Sequence, residues 1–127
     1  MRIGYARAAP LEADNLAQWA ALDEAKCQHI FEEHGSVGRW HRPELNRLLA
    51  QLGENDTLVV WKLDCLSTSL KDILVLLEKV GRIGAGFISL AESFDSTSPG
   101  GSMMMGIIKS FGDFERAMLR ERTLNGL

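Results

Sequence analysis

Four short apolar runs along the chain predict β-strands. They are Ile3–Arg7, Cys27–Phe31, Thr57–Trp61 and Phe87–Leu90. The third run is apolar throughout and rich in β-branched residues, which is typical of a strand covered on both faces of a sheet. Polar or glycine-containing stretches separate the runs, among them a predicted loop over residues 32–41.

The segments between the strands have helical spacing. Asn15–Lys26 is predicted as a helix that Asp14 caps and that buries Leu16, Trp19 and Ala20. Pro43 suits the first position of a second helix, which Gly53 ends. Its apolar face is Leu45, Leu48, Leu49 and Leu52.

A third helix is predicted after Ser67 or Ser69, either of which suits its N-cap, with Asp72 as capping-box partner of Ser69. Its predicted buried stripe is Leu70, Ile73, Leu74, Leu77 and Val80. Strands that alternate with helices predict an α/β domain, with a mostly parallel sheet of about four to five strands and flanking helices.

The last segment predicts a long helix after a turn at residues 98–101. Its apolar residues recur at spacings of 3, 4, 3 and 4, as in the a/d seam of a coiled coil. We call these residues the seam: Met104, Ile107, Phe111, Phe114 and Met118. Further apolar residues beside the seam favour two partners for this helix, its own sheet and a second subunit, over packing on its own domain alone. We therefore assign 1–99 to the α/β unit and 100–127 to a dimerisation helix of the same domain.

Composition fits a globular domain, with 127 residues, 46% hydrophobic and 24% charged. No apolar window reaches the roughly 18 residues that would suggest a membrane span, and the N-terminal apolar stretch is too short for a signal peptide. The expected location is therefore the cytoplasm. The net charge of −3 argues against general attraction to nucleic acid, although basic residues gather after Glu115 and are compatible with DNA contact.

The two cysteines, Cys27 and Cys65, are expected to be free thiols in a reducing compartment. A metal site would have to combine Cys27 with His29, His34 and His41. Those spacings match no zinc pattern. The expectation is therefore no metal.

Several sequence strings carry a family resemblance. In chain order they are residues 4–7 (Gly-Tyr-Ala-Arg), Arg42-Pro43, the run Asp56 to Asp64, Leu66-Ser67, residues 69–72 (Ser-Leu-Lys-Asp), Ser98-Pro99, Gly101, residues 114–116 (Phe-Glu-Arg) and residues 120–123 (Arg-Glu-Arg-Thr). Together they resemble the catalytic domain of the serine recombinases, in the resolvase and DNA-invertase branch, over the whole chain.

The resemblance implies a resolvase-like fold and a defined chemistry. A serine hydroxyl after the first strand attacks a DNA phosphodiester and forms a phosphoserine link, while arginines stabilise the charge on the phosphoryl oxygens. It implies no metal or nucleotide cofactor. It also implies dimers that pair into tetramers through the long helix, and a helix-turn-helix domain that this chain, ending at Leu127, does not include.

Carried over residue by residue, the resemblance assigns phosphate binding to Arg7 and Arg42. It assigns the acidic position after the third strand to Asp64, and the long helix's polar site residues to Arg116 and Glu121. Gln18 also fits the family pattern. Residues assigned to DNA binding are Arg7, Arg42, Arg120 and Arg122.

The departures fall on the groups that would handle the phosphate. Ala9 stands at the nucleophile position, Ala13 replaces a glutamine, and Cys65 and Thr68 replace arginines. Pro10 and Ser102 also depart from the family's threonine and basic residue.

Three interpretations remain open. The first is a degenerate recombinase domain that folds and forms homodimers or mixed oligomers with an active recombinase, but cannot cleave DNA. The second is an active strand-exchange enzyme that uses Cys65, whose thiol pKa nearby arginines would lower. The third is an interaction or regulatory module that never touches DNA.

Overall fold

The computed structural model describes residues 1–7, 12–33, 42–67 and 70–124, with the backbone alone at 12–15 and 123–124. The strands are β1 (Arg2–Arg7), β2 (His29–Glu33), β3 (Thr57–Val60), β4 (Gly86–Ser89) and β5 (Phe94–Asp95). The helices are α1 (Glu12–Glu24), α2 (Pro43–Gln51), α3 (Leu70–Ile83) and α4 (Pro99–Leu124), and a 3-10 turn covers Leu63–Cys65.

The five strands form one sheet in the order β2-β1-β3-β4-β5. The first four are parallel, and β5 pairs with β4 in the antiparallel direction. The predicted α/β fold with a mostly parallel sheet and a long last helix is therefore confirmed. The short β5 was not predicted, because two residues carry no readable alternation.

Helices cover both faces of the sheet. On one face α2 and α3 pack against alternate residues of the strands, among them Tyr5 and Phe87, which are fully buried. On the other face Leu22 of α1 packs on Ala6 and Val59. The central strand β3 is buried between the two layers, as its continuous apolar run predicts.

The prediction of which face of α1 is buried is wrong. Leu16 is 67% exposed, Trp19 and Ala20 are also exposed, and the helix instead turns Gln18 and Leu22 toward the sheet. The reason is that the Gln18 amide continues the hydrogen bonding of β1, because its Oε1 accepts the Arg7 N–H at 2.9 Å and its Nε2 donates to the Arg7 carbonyl at 3.0 Å.

The buried face of α3 was predicted correctly for Ile73, Leu77 and Val80. Leu70 was predicted as buried and is 71% exposed, because it is the first residue of the helix and lies on the outer face. Asp72, a carboxylate, is buried there instead. The predicted cap Ser69 lies outside the described residues.

The start of α4 packs tightly on β5. The Ser98 hydroxyl accepts the Gly101 N–H at 3.1 Å, which makes Ser98 the N-cap. A Cβ atom on Gly101 would lie 1.6 Å from the Asp95 carbonyl oxygen, so only glycine fits. Further along, Met105 and Ile108 pack on the core. The helix that was expected to contact its own sheet thus rests mainly on α3 and on β5 at the sheet's edge.

The seam residues of α4 lie outside this packed face and are all exposed, from 38% at Met118 to 62% at Phe114. Within the described segments, no helix is long and apolar enough to cross a membrane.

Candidate active site

The sheet topology indicates where a ligand would bind. From β1 the chain moves outward to β2, and it then returns to the other side of β1 to form β3. In parallel sheets, ligands bind beyond the carboxyl ends of the strands at such a reversal of strand order. Arg7 is the last residue of β1, and residues 61–65 directly follow β3, so both lie at the carboxyl ends of these strands. The structure therefore brings Arg7 and Asp64 to one edge of the sheet.

Arg7 is partly exposed, and the two Gln18 hydrogen bonds fix its backbone. Ala9 and Thr68 lie outside the described residues, and so does the side chain of Ala13. The vacated nucleophile position follows Arg7 by two residues in the sequence.

The segment that carries Asp64 is held by a residue that the sequence analysis missed. The Leu63 N–H donates to both carboxylate oxygens of Glu92, at 3.3 and 3.4 Å, and the buried Ser89 hydroxyl donates to the same carboxylate. Glu92 lies in the turn after β4, so it ties that turn to the 3-10 turn after β3. Asp64 itself is exposed at this turn. The role of Glu92 could not be predicted from local sequence, because the Leu63 N–H that it binds is 29 residues away.

Cys65 does not have the properties of an activated nucleophile. Burial is the main cause that raises the pKa of its thiol. A backbone hydrogen bond with Lys62 and the charge of that lysine lower the pKa, whereas the charges of Asp64 and Glu92 raise it, and the balance stays above the ordinary value. The sequence analysis expected arginines near Cys65 to lower this pKa. That expectation is wrong, since the charges that act on the thiol within the described residues are one lysine and two carboxylates.

Arg42, assigned to phosphate binding, points into the protein. It sits at the N-cap position of α2 and is only 7% exposed. Its Nε and Nη1 atoms have no hydrogen-bond partner among the described residues. The side chain lines a cavity of about 20 Å³ between α2 and α3, together with Asn46, Asp72 and Lys79. Such a volume holds about one water-sized group.

A buried polar cluster lies beside Arg42. Glu33, 2% exposed, accepts hydrogen bonds from the Tyr5 hydroxyl and from the N–H groups of Glu44 and Leu45, each at 3.2 Å. Burial and the Glu33 charge hold the pKa of Tyr5 well above its ordinary value, although Arg42 lowers it in part. Glu33 therefore caps α2 from the neighbouring strand, a role that the predicted loop over residues 32–41 concealed.

Of the residues assigned to the site from α4, Arg116 is paired with two carboxylates. Arg116 donates to Glu78 of α3 at 2.7 Å and to Asp113 of its own helix. Glu121, Arg120 and Arg122 are exposed in the last turns of α4. The carboxyl ends of β1 and β3 thus bring Arg7 and Asp64 to one side of the sheet, while Arg42 is buried beside a small cavity and Arg116 is paired with Glu78.

Within the described segments, no group of three histidine, cysteine or acidic side chains is arranged to hold a metal ion. Among the residues considered as a metal site, His34 and His41 lie outside those segments. Cys27 is a free thiol, as is Cys65.

Comparison with known proteins agrees with this architecture. The family described as "Resolvase, N terminal domain" matches residues 2–127. The chain is 39% identical over 127 residues to the DNA-invertase of Escherichia phage P1, covering 100% of this chain and 68% of that protein. It is 39% identical to the serine recombinase gin of Escherichia phage Mu and 38% identical to the DNA-invertase hin of Salmonella typhimurium, covering 66% of each. The share of this chain that is covered is 100% for gin and 98% for hin.

Among solved structures, the N-terminal catalytic domain of TP901-1 integrase superposes with a TM-score of 0.71 at 28% identity, covering 93% of this chain and 98% of that one. A resolvase family site-specific recombinase from Streptococcus pneumoniae superposes with a TM-score of 0.61 at 19% identity, covering 98% and 93%, which shows the shared fold alone. A family match along nearly the whole chain, relatives above 30% identity and a shared sheet with a long last helix lead to one conclusion: this chain belongs to the serine recombinase family, as a domain of the resolvase and DNA-invertase type.

Proposed function

We propose that this chain is a recombinase-family domain that folds, pairs and contacts DNA in the cytoplasm, but does not cleave DNA by the serine route. The observation that carries the proposal is the methyl group of Ala9 at the position where the family places its nucleophile. A methyl group cannot attack phosphorus. The missing arginines compound the loss, because one transition-state arginine can be worth roughly 10³ to 10⁵ in the rate of phosphoryl transfer.

Two features of the described residues support the proposal. Arg42 is only 7% exposed, which leaves little of its guanidinium available to a phosphate. The raised pKa of Cys65 leaves less thiolate at neutral pH, which argues against the alternative of a cysteine-based enzyme.

Cleavage of a supercoiled plasmid tests the proposal. We expect no nicking and no protein covalently attached to DNA for the natural sequence, nor for Ala9→Ser alone, because Cys65 and Thr68 still lack the arginine side chains. The variant that combines Ala9→Ser with Cys65→Arg and Thr68→Arg is expected to regain a covalent adduct. A covalent adduct with the natural sequence would overturn the proposal, and its loss in Cys65→Ala would identify the alternative enzyme.

The pairing part of the proposal rests on the exposed seam. Phe111 and Phe114 are 55% and 62% exposed although their spacing is that of a coiled-coil interface. Isolated exposed apolar residues are common, but a continuous stripe on one helix is typical of an interaction surface. A second copy of the chain would cover it by the same contacts on both sides.

Analytical ultracentrifugation tests the pairing, with a matched control. Phe111→Glu places a charge in the seam and is expected to give a monomer. Leu70→Glu places the same charge at a residue that is 71% exposed but lies outside the seam, and is expected to remain a dimer. A natural sequence that sediments as a monomer at high micromolar concentration would refute the seam as a homodimer interface.

The proposed contact with DNA distinguishes this function from that of an interaction module that never touches DNA. Arg120 and Arg122 are exposed at the end of α4, and each phosphate contact contributes a slope of about −0.9 to the dependence of log K on log salt. Changing both to alanine is expected to reduce that slope by about two. Absence of any salt-dependent shift of labelled duplex with the natural sequence would favour the interaction module.

A further inference from the structure

One carboxylate joins α3 to α4. Glu78 of α3 has a side chain that is only 13% exposed, and its Oε1 accepts hydrogen bonds from Arg116 at 2.7 Å and from Arg82 at 2.8 Å. The Arg82 pair lies within α3, four residues apart, whereas the Arg116 pair crosses to α4. A Cβ atom on Gly112 would lie 2.6 Å from Glu78 Oε2, so the carboxylate rests directly on the backbone of α4.

The apolar packing of α4 on its own domain ends before this point. Met105 and Ile108 are its side chains that pack on the core, and among the described residues none further along does so. Beyond Gly112 the contacts with α3 include two ion pairs, Arg116 with Glu78 and Glu115 with Lys71 at 3.7 Å. The large apolar side chains of this half, such as Phe114, face away from α3 and are exposed.

We propose that the Glu78–Arg116 pair is a latch that holds the distal half of α4, residues 112–124, against α3 and so fixes the direction in which the seam faces. The consequence for the seam rests on the pairing proposed above, whereas the latch itself does not. Arg116 is then a positioning residue of the interface, in place of the role beside the nucleophile that the family resemblance assigns to it.

The position of the latch makes it responsive to conditions. Ion pairs that border solvent weaken as salt screens them, whereas apolar contacts such as those of Met105 and Ile108 do not. Gly112 lies next to the latch, and a glycine inside a helix lowers helix stability. High salt is therefore expected to loosen the distal half of α4 while the first half stays packed.

Hydrogen exchange of the backbone amides tests the latch, in the monomeric Phe111→Glu background so that pairing does not interfere. Arg116→Gln and Glu78→Gln are expected to speed exchange over residues 112–122 by a factor of about two to five, the range that one exposed ion pair gives. The matched control is Arg82→Gln, which removes the partner on the same carboxylate that does not cross between helices. It is expected to leave these amides within error of the background.

Exchange of β3 amides monitors the fold and is expected to stay constant in every variant. Raising salt from low to high concentration is expected to speed exchange over 112–122 in the background protein and to have a smaller effect in Arg116→Gln. Equal exchange in Arg116→Gln and its background, or equal acceleration in Arg82→Gln, would overturn the latch.

Sedimentation of Arg116→Gln with Phe111 intact then tests the consequence for the seam, for which we expect a dimer dissociation constant raised by a similar factor. A monomeric natural protein would refute the pairing and leave the exchange result to judge the latch alone. An unchanged dissociation constant alongside faster exchange would refute the link between latch and seam.

Discussion

Removing the Glu33 carboxylate is predicted to destabilise the domain severely, although Glu33 belongs to no expected catalytic set. Glu33 is the last residue of β2, and it is only 2% exposed. Three donors converge on it, namely the Tyr5 hydroxyl and the N–H groups of Glu44 and Leu45, each at 3.2 Å. The two N–H groups belong to the first turn of α2, where Arg42 at the N-cap position provides no side-chain cap.

The magnitude follows from these three bonds. A buried donor without an acceptor costs about 1–3 kcal/mol. Glu33→Ala leaves three such donors, of which the one on partly exposed Glu44 can reach water, so we expect a loss of about 3–5 kcal/mol in the free energy of unfolding. Glu33→Gln keeps an oxygen at the Oε1 position, where two of the three bonds end. Its expected loss is about 1–2 kcal/mol.

Thermal unfolding followed by circular dichroism measures the difference. For a domain of this size 1 kcal/mol corresponds to about 3 °C in Tm, so Glu33→Ala is expected to lower Tm by about 9–15 °C. Glu24→Ala, which removes an exposed carboxylate from α1, is the control and is expected to change stability by less than about 0.5 kcal/mol. A Tm for Glu33→Ala within the error of that control would refute the capping role.

Three further predictions concern single positions. Gly101→Ala forces a Cβ to 1.6 Å from the Asp95 carbonyl oxygen, and we expect urea unfolding to show a loss of at least about 3 kcal/mol; Gly100→Ala, with nothing within 4 Å, is the control, and equal stabilities would contradict the contact. Because burial raises the pKa of Cys65, iodoacetamide is expected to label it more slowly at pH 8 than it labels a free-cysteine peptide, as peptide mass spectrometry will show; faster labelling would contradict this. The Thr97 hydroxyl and N–H lower the pKa of Asp95, so its stabilisation is present above the ordinary aspartate pKa of about 3.9 and is lost as pH falls through the lower folded value. Asp95→Asn is therefore expected to flatten the acid limb of stability below about pH 4, and an unchanged limb would count against it.

The success of the sequence analysis followed the strength of each apolar pattern. The continuous apolar run at β3 predicts a strand buried on both faces, the leucine periodicity of α2 predicts a helix and its buried side, and the structure agrees with both. The face of α1 was wrong because the burial of Gln18 depends on the backbone of Arg7, 11 residues earlier in the chain. Apolar periodicity carries no information about such a bond.

The candidate site was predictable in the part that topology governs. Parallel strands bring their carboxyl ends to one edge, so Arg7 and Asp64 reach the same edge whatever their neighbours are. The surroundings of Arg42 and Cys65 were not predictable, because the burial and charge around a side chain come from distant segments. Glu33 caps α2 from another strand, and Glu92 fixes the turn after β3 from across the sheet.

The positions of Arg42 and Arg116 in the fold support the proposed loss of cleavage. An arginine serves phosphoryl transfer only if its guanidinium is held ready at the phosphate, since catalysis of this kind is positioning and electrostatic stabilisation. Arg42 is buried beside a small cavity between α2 and α3, and Arg116 is paired with Glu78 of α3. Arg42 is buried and Arg116 is paired with a carboxylate, so restoring the nucleophile at Ala9 would not by itself supply the positive charge that the missing arginines would provide. This is the physical reason to expect that Ala9→Ser alone yields a folded protein without cleavage.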